Sequence, residues 1–447
     1  MRFFALFRTL LRLAISRARR ADSSRAIILG YFCYVILGAL VLALPFCRVN
    51  HAGGWLDWLF VATSAVSTTG LSTMSTGADF TFAGQFVILV LIQLGGLGYM
   101  TTGSFVLLSV SGRMNPQREK TQRMALNLPG EVDLDSVVRL IVIYTFLVEA
   151  VGAALLYWLF RGAGVPGALW SGIFHSVSAF CTAGFGLYDD SLSQFRGSLP
   201  VNAVVCVLSI LGAMGFLIVY DLWKSLTGRK VAITLTTKVI VFSTVLMILA
   251  GTLLMRVEEP LTRGAGGWTA AFFQTMTACT TVGFNTLPIG ELSNASTFLL
   301  ILLMLVGASP AGTGGGIKTT TVTALWAVMI GVIRRRPEPT FAGRIIPEPR
   351  RRIAVATTFF YLAMLSAGVY LLGVFQPGSL TDIFFECASA LGTVGLSRGL
   401  TGSLNEAGKL VIILLMFVGR VGPLLLASSL FVKPKEAAPA KEEDVVV

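Results

Sequence analysis

The sequence is poor in charge, in histidine and in paired cysteine motifs. Lysine, arginine, aspartate and glutamate make up only 13% of the 447 residues, and two histidines occur. This shortage of charge excludes an ordinary soluble globular protein. No constellation of histidine, serine and aspartate recurs at one depth, which argues against a membrane-embedded enzyme. The six cysteines show no C-x2-C spacing, so they indicate neither a disulfide framework nor a zinc site.

Long apolar runs are abundant, and they predict an all-α polytopic membrane protein with eight transmembrane helices. Each run reaches the roughly 20 residues that a helix needs to cross a hydrocarbon core of about 30 Å. The eight runs lie near 27–46, 84–110, 136–160, 200–223, 237–256, 297–333, 353–374 and 407–431. Four further apolar stretches are too short to span, and we interpret them as re-entrant half-helices. These stretches lie near 55–67, 168–181, 267–280 and 379–392.

The net charge of +12 invites a nucleic-acid interpretation, but the position of the charge argues against it. Five segments hold 26 of the 35 lysine and arginine residues, and they are alternate connections between the predicted spans. They are residues 2–25, 113–139, 224–238, 334–352 and 433–441. An excess of lysine and arginine marks the cytoplasmic side. We therefore predict a multi-pass cell-membrane protein with both termini in the cytoplasm, contacts with membrane lipids and no nucleic-acid partner.

One pentapeptide, Thr281-Val282-Gly283-Phe284-Asn285, recurs three more times. The copies begin at Thr68, Thr182 and Thr393. When the copies are aligned on their glycine, they share the pattern F-x3-[ST]-A-x2-T-x-G-[LF], at glycine spacings of 114, 99 and 112 residues. The chain is therefore four versions of one unit.

Each unit consists of a span, a half-helix, a filter-like pentapeptide and a second span. Because a unit crosses the membrane twice, all copies share one orientation and can surround a central pore, whereas inverted-topology repeats need an odd number of spans. The predicted units are 27–110, 136–224, 237–333 and 353–431. A basic N-terminal segment, 1–26, precedes them, and a tail, 432–447, is predicted to be disordered.

The pentapeptides suit the binding of a monovalent cation. Rings of backbone carbonyls can replace hydration water without trapping a net charge, and glycine permits backbone angles that a Cβ atom would resist. Each half-helix directs the negative end of its dipole towards the ion path. The candidate ion-binding residues are Thr68, Thr69, Gly70, Thr182, Ala183, Gly184, Thr281, Val282, Gly283, Thr393, Val394 and Gly395.

The third unit departs from the pattern because residues 297–333 would form about 55 Å of helix, more than one crossing requires. Glycines and a proline interrupt this run at 307–316. Non-helical backbone at membrane depth must be buried in protein or line water, so we place this loop in the pore below the filter. A phosphate-binding loop is excluded because Ile317 separates the last glycine from the lysine. The candidate gate residues are Gly307, Pro310, Gly312, Gly314, Gly315, Gly316 and Lys318.

Several polar residues within apolar stretches leave alternatives open. Arg420, deep in the last span, either faces the conduction path or clamps the glycine loop. Glu149 is either a functional group in the membrane or a structural hydrogen-bond partner. His175 either supports the filter from behind or ligates the ion, and the supporting role is favoured. The loop 111–135 either docks a soluble partner or is a solvated linker.

Taken together, the four units, the filter glycines, the broken third inner span and Arg420 resemble the Trk/Ktr/HKT superfamily of potassium transporters over about 27–431. With eight spans and a short N-terminal extension, the chain looks more like the Ktr-type membrane subunit than the longer Trk type. The resemblance implies potassium conduction past Gly70, Gly184, Gly283 and Gly395, with an intramembrane gate at 307–316 near Arg420.

The same resemblance implies partners and ion preference. It suggests a homodimer with one pore per subunit and a cytoplasmic ring of RCK-type nucleotide-binding regulatory subunits, with no nucleotide bound by this chain. In related proteins a serine at the first filter glycine accompanies sodium permeation, and this chain has Gly70 there. Potassium is therefore the expected ion, and a sodium-permeable or sodium-coupled transporter is the alternative.

Overall fold

A computed structural model describes residues 23–50, 52–98, 101, 134–226, 233–264, 266–310, 312–336 and 338–422. These residues are mainly helical, with one small hairpin. Several predictions lie outside the described residues, including most of the basic N-terminal segment, nearly all of the loop 111–135 and the tail 432–447.

Within the described residues the chain forms fourteen α-helices, five 3-10 helices of three residues each and one pair of short strands. The helices are α1 (Ser23–Leu42), α2 (Trp55–Val66), α3 (Phe82–Leu97), α4 (Leu134–Gly162), α5 (Ala168–Phe180), α6 (Leu199–Ala213), α7 (Phe216–Leu226), α8 (Leu235–Glu258), α9 (Gly267–Thr280), α10 (Asn294–Leu305), α11 (Thr319–Ile333), α12 (Glu348–Phe375), α13 (Leu380–Gly392) and α14 (Glu406–Val421). Strand β1 (Thr340–Phe341) pairs antiparallel with β2 (Arg344–Ile345) between α11 and α12.

The four short apolar stretches are the helices α2, α5, α9 and α13, which have 12 to 14 residues each. A helix of this length rises about 20 Å, too little to cross a bilayer. Their ends have local causes: the Ser379 side chain caps the start of α13 by accepting from the Asp382 N–H at 3.1 Å. Each of the four helices leads into one of the repeated pentapeptides that were predicted to form the filter.

Three helices in the described part are long and apolar enough to cross a membrane by themselves: α4, α8 and α12. Helices α6 and α7 satisfy the same criterion only as a pair, and they are bent by 90°. The predicted run 200–223 is therefore two helices joined at a sharp bend, and its crossing of the membrane stays a prediction. The bend falls at Gly215, whose φ of 88° leaves the right-handed helical region. The total of eight spans stays a prediction.

The third unit is interrupted between α10 and α11. Helix α10 ends at Leu305 and α11 begins at Thr319. The described residues between them, 306–310 and 312–318, form a non-helical loop that we call the glycine segment. The Ile317 N–H donates to the Leu305 carbonyl at 2.9 Å, so the loop returns close to its starting point. The C-terminal end of α10 and the N-terminal end of α11 are therefore close together, with the glycine segment projecting between them.

The buried apolar side chains of the described residues form three clusters that lie between neighbouring units. One joins the first and second units, one joins the second and third, and the largest joins the third and fourth with Phe60 and Leu71 of the first. The four phenylalanines of the repeated pattern are all fully buried: Phe60, Phe174, Phe273 and Phe385. Packing between units thus fixes the short helices and the segments that follow them.

Candidate functional site

The four predicted filter segments meet at one place, where each glycine lies against the segment of the next unit. A Cβ atom added to Gly283 would lie 2.1 Å from the Val394 carbonyl oxygen. The same relation links Gly70 to the Ala183 oxygen at 2.5 Å, Gly184 to that of Val282 at 2.3 Å and Gly395 to that of Thr69 at 2.1 Å. The last link returns to the first unit, so the segments form a closed ring in chain order. We call this the glycine ring.

The backbone has the same conformation in all four segments. The threonines have φ values of 53°, 50°, 57° and 49° at Thr68, Thr182, Thr281 and Thr393. The glycines have φ values of 96°, 65°, 86° and 95° at Gly70, Gly184, Gly283 and Gly395. A β-branched residue in the left-handed region is uncommon, and such strain, about 1–3 kcal/mol each, concentrates at functional sites. Four copies of it at one ring indicate a functional constraint.

The repeated sequence pattern is explained by local hydrogen bonds. In the first unit the Thr68 N–H donates to the Ala65 carbonyl at 3.1 Å, and the Thr69 N–H donates to the Ser64 carbonyl at 2.8 Å. Equivalent bonds of 2.8–3.4 Å occur in the other three units. The Ser64 hydroxyl also accepts from the Gly70 N–H at 3.0 Å, as that of Ser389 does from Gly395 at 3.1 Å. These bonds hold each segment in its strained form.

A polar cavity of about 380 Å³ opens on one side of the glycine ring. All four ring glycines line it, and further out each unit contributes a polar side chain. These include Ser72, Ser191, Asn285 and Ser397. Asp189 is the acid among its lining residues, and the Ser75 hydroxyl donates to it. The lining contains no basic side chain, so the cavity suits a cation.

His175 lies behind the ring and not in it. Its ring is fully buried, with Nδ1 donating to the Ser171 carbonyl at 2.8 Å and Nε2 accepting from the Leu187 N–H at 3.4 Å. It stacks on Tyr188 at a centroid distance of 4.9 Å. Both ring nitrogens are therefore occupied by protein groups, which favours the supporting role.

Glu386 occupies the position in the fourth unit that His175 holds in the second. Its Oε1 accepts from the N–H and the hydroxyl of Thr401, both at 2.8 Å, and from the Ser397 hydroxyl. Ser397 and Thr401 line the polar cavity. The second oxygen, Oε2, is buried and has no hydrogen-bond partner among the described residues. A carboxyl group thus lies directly behind the cavity wall, a role that its position nine residues before Gly395 could have suggested.

The glycine segment lies against the other side of the ring. Its Thr313 hydroxyl lies 3.1 Å from that of Thr182, and the Thr68 hydroxyl donates to the Thr313 carbonyl at 3.5 Å. The Gly315 N–H donates to the Thr281 hydroxyl at 3.1 Å. A Cβ on Gly315 would meet the Thr393 hydroxyl. One loop therefore touches the threonines of all four units.

Several predicted gate residues fit only as glycine. A Cβ atom on Gly307 would lie 2.2 Å from the Gly315 carbonyl oxygen, and one on Gly312 would lie 2.4 Å from that of Ala213. Gly316 has a φ of 72°. Gly314 is equally enclosed, and Pro310 lies in the turn where the Gly312 N–H donates to the Ser309 carbonyl at 3.3 Å. The close backbone approach leaves no room for larger side chains.

Two basic side chains hold the glycine segment. Lys318 Nζ donates to the Gly314 carbonyl at 2.7 Å. The Arg420 guanidinium donates to the carbonyls of Thr313 and Gly95. Of the two alternatives for Arg420, the structure thus shows the contact with the loop. Its bond to Gly95 ties the fourth unit to the first at the same level.

A G-x-x-G pattern at the C-terminal ends of α3, α6 and α14 was not recognised from the sequence. It comprises Gly95 and Gly98, Gly212 and Gly215, and Gly419 and Gly422. In each pair the second glycine has a positive φ, of 77°, 88° and 94°. A Cβ on the first glycine would lie within 2.2 Å of the Val66, Phe180 or Leu391 carbonyl oxygen. Alignment of the inner helices would have revealed this pattern.

Glu149 is buried away from the ring, beside the end of α5. The Cys181 thiol donates to its Oε1 at 3.6 Å, and the Ser176 hydroxyl donates to its main-chain carbonyl at 2.7 Å. In the described part of the chain, no group of three or more histidine, cysteine, aspartate or glutamate side chains is placed to hold a metal ion. Glu149 therefore contacts protein groups at the C-terminal end of α5.

An ion pair joins the fourth unit to the first on the side of the ring where the polar cavity lies. Lys409 Nζ lies 2.6 Å from Asp57 Oδ1, and each side chain is 18% exposed. Asp57 is in the first turn of the short helix α2. Burial raises its pKa, but hydrogen bonds from Lys409, the Gly54 N–H and Thr73 outweigh burial and place the pKa below the ordinary value. The carboxylate form is therefore stabilised here.

Comparisons with known proteins agree on one family. The model of the family TrkH, described as a cation transport protein, matches residues 46–437. The chain is 33% identical to "Ktr system potassium uptake protein B" of Vibrio alginolyticus, over 96% of this chain and 95% of that protein. It is also 33% identical to "Potassium/sodium uptake protein NtpJ" of Enterococcus hirae, over 94% and 95%.

The fold is similar to that of a solved transporter. The crystal structure of the potassium transporter TrkH from Vibrio parahaemolyticus matches with a TM-score of 0.74, covering 92% of this chain and 85% of that one. Sequence identity in this match is 21%, so the match shows the fold alone.

Proposed function

This chain belongs to the TrkH family of cation transport proteins, and from that premise we propose that it is the membrane subunit of a potassium uptake system. In this proposal K⁺ passes through the glycine ring, and the chain is a transporter in the cell membrane. The closed ring of four identically shaped segments is the observation that carries the proposal. Relatives named as potassium uptake proteins over nearly the whole chain support it.

The chemistry proposed for the ring is replacement of hydration water by main-chain oxygens. Glycine at the four ring positions permits the next segment's carbonyl to approach where a side chain would otherwise lie. The four short helices end at the ring, so their negative dipole ends favour a cation there. Carbonyl rings provide this coordination without a trapped charge.

The proposed architecture is four pseudo-symmetric units of span, half-helix, filter and span, with eight membrane crossings around one central pore and both termini cytoplasmic. The chain order of the ring supports it because each unit contacts the next and the fourth contacts the first. Ser191 and Asn285 link the second and third units by a 3.1 Å hydrogen bond, and Lys409 with Asp57 links the fourth and first.

We assign the glycine segment as the gate of this path. Its contacts with the four ring threonines support a position that obstructs one end of the ring. Lys318 and Arg420 hold it there and add positive charge, which opposes cation entry. Opening requires these hydrogen bonds to break.

The proposed assembly is a homodimer regulated by a cytoplasmic RCK-type nucleotide-binding ring that acts on the gate. Support for a second component comes from the relatives' description as protein B of a Ktr system. The chain itself is proposed to bind no nucleotide.

Rubidium uptake in cells that lack potassium import tests the proposed function. Expression of the chain should restore growth at low potassium and should produce rubidium uptake that excess potassium inhibits. Sodium flux is measured in parallel because one relative is named for both ions. Sodium flux without growth rescue or rubidium uptake would reject potassium as the transported ion.

A further inference from the structure

A groove of about 560 Å³ lies between α11 and α12, and no residue of the glycine ring lines it. Its wall is apolar along most of its length, and the first turn of α12 supplies charged side chains. The apolar residues are Val328, Val355, Ala356 and Phe359, and the charged ones are Arg351, Arg352 and Glu348. We propose that this groove binds an anionic phospholipid, with the phosphate at Arg351 and an acyl chain along the apolar wall.

The groove lies at the level expected for lipid headgroups if α12 spans the membrane, which is the part of the proposed function that this inference uses. Helix α12 has 28 residues and rises about 42 Å. Just after its C-terminal end, Gln376 forms hydrogen bonds with Ser403 and Asn405. Ser403 follows Thr401 and Gly402, which line the polar cavity, so this end of α12 lies on the cavity side of the molecule. The arginines at its N-terminal end therefore face the opposite membrane surface.

The charge at this end is complementary to an anionic headgroup. Residues 334–352 contain seven arginines and two glutamates. Glu348 is already paired with Arg352 at 2.5 Å, so this acid does not neutralise Arg351. The Arg351 Nε is buried and has no hydrogen-bond partner in the part of the chain that the structure describes. That nitrogen is enclosed by protein, so a phosphate in the groove would bind the terminal nitrogens of the Arg351 guanidinium, whose planar fork matches phosphate geometry.

The apolar wall favours a lipid over a free anion. Val355 is 53% exposed and Phe359 is 75% exposed, and both continue the groove away from the arginines. An inorganic phosphate would leave this surface uncovered, whereas an acyl chain would cover it. Amphipathic ligands with one anionic end are therefore the class that fits both parts.

Native mass spectrometry of the purified full chain with added phosphatidylglycerol or phosphatidylcholine tests the proposal. We expect retention of phosphatidylglycerol, and Arg351→Gln should lower its association constant about fivefold, the effect of one interfacial arginine. Arg350→Gln is the matched control because it removes the same charge from the same turn but does not line the groove. Equal loss in both variants, or equal binding of phosphatidylcholine, would overturn the site.

A second pair of variants tests the apolar wall. Ala356→Phe fills the groove and should reduce phosphatidylglycerol binding, whereas Ala363→Phe, also exposed on α12 but outside the groove, should not. Displacement of the bound lipid by millimolar inorganic phosphate would show an anion site and reject the lipid assignment. Since the readout is bound lipid mass, a failure of potassium transport leaves this result unaffected. Circular dichroism verifies the fold of each variant.

Discussion

The glycine ring and the glycine segment touch each other, yet they are built in opposite ways. All four units contribute to the ring, with one backbone conformation repeated four times. The glycine segment comes from the third unit alone and reaches the threonines of all four. Equivalent contributions from four units suit coordination of one ion from all sides, whereas a single loop that contacts every unit suits control of access. Variants in the ring should therefore change ion preference, and variants at the segment should change rate.

The largest effect is expected from a substitution in the ring. Gly283→Ala places a Cβ against the Val394 carbonyl at a residue with a φ of 86°. Strain of about 1–3 kcal/mol should lower the preference for potassium over sodium about tenfold or more. Competition of sodium against rubidium uptake measures this preference. Gly402→Ala, at a cavity-lining glycine where a Cβ meets nothing within 4 Å, is the control. An unchanged ion ratio in Gly283→Ala would contradict the role of the ring.

Variants that loosen the glycine segment should change the rate of ion influx and not the preference for potassium over sodium. Arg420→Gln removes the charged hydrogen bonds to Thr313 and Gly95. Such bonds contribute about 1.5–3 kcal/mol each, so we expect rubidium influx to rise about tenfold at an unchanged potassium-to-sodium ratio. Arg398→Gln also removes an arginine with several hydrogen bonds, but none of these bonds is to the glycine segment, so it should not raise influx. Slower influx in a correctly inserted Arg420→Gln protein would show that the segment is structural.

The side chains that lie behind the ring differ between the four units, and this difference can be tested. Glu386 has no acidic counterpart at the equivalent positions Val61, His175 and Gln274. Glu386→Gln retains most of the hydrogen bonds and removes the carboxylate charge, so the apparent KM for potassium should rise about tenfold at alkaline pH. The effect should be smaller in acid, because burial raises the pKa of Glu386 to about 7 and the wild-type carboxyl group is protonated below it. Glu406→Gln, at an exposed carboxylate of α14, controls for loss of charge. An equal KM in both variants would exclude a local electrostatic role.

The smallest effect is expected from the ion pair between Lys409 and Asp57, which joins the fourth unit to the first. Lys409→Met breaks the ion pair with Asp57 and should lower the free energy of unfolding by up to about 1 kcal/mol at neutral pH. Because the folded-state pKa of Asp57 lies below the ordinary 3.8, this contribution is present above pH 3.8 and is lost as pH falls through the folded-state value. Thermal unfolding of variant and wild type at several pH values measures the difference. A difference that grows on acidification would contradict the assigned pair.

The sequence was sufficient to locate the ring residues because their conformation depends on local bonds. The pattern alanine and serine accept hydrogen bonds from residues three and five positions later, as in Thr68 to Ala65 and Thr69 to Ser64. Such short-range bonds leave a motif that repeats in the sequence. Pro310 and the neighbouring glycines similarly predicted where the long third-unit run is interrupted.

Contacts between distant parts of the chain could not be predicted in this way. The bond from Arg420 to Gly95 joins residues 325 positions apart, and no periodicity encodes it. The turn at Gly215 was missed because an apolar run continues through it, although Gly212 and Gly215 repeat the spacing seen in two other inner helices. Pairing of Glu386 with Thr401 likewise depends on how the outer loop folds back.

Anomalous diffraction from crystals of the protein grown with rubidium tests the central claim most directly. We expect rubidium density on the axis enclosed by Gly70, Gly184, Gly283 and Gly395, within coordination distance of main-chain oxygens from all four segments. Replacement of rubidium by sodium should abolish that density. Rubidium bound only elsewhere, with the ring axis empty, would contradict the account.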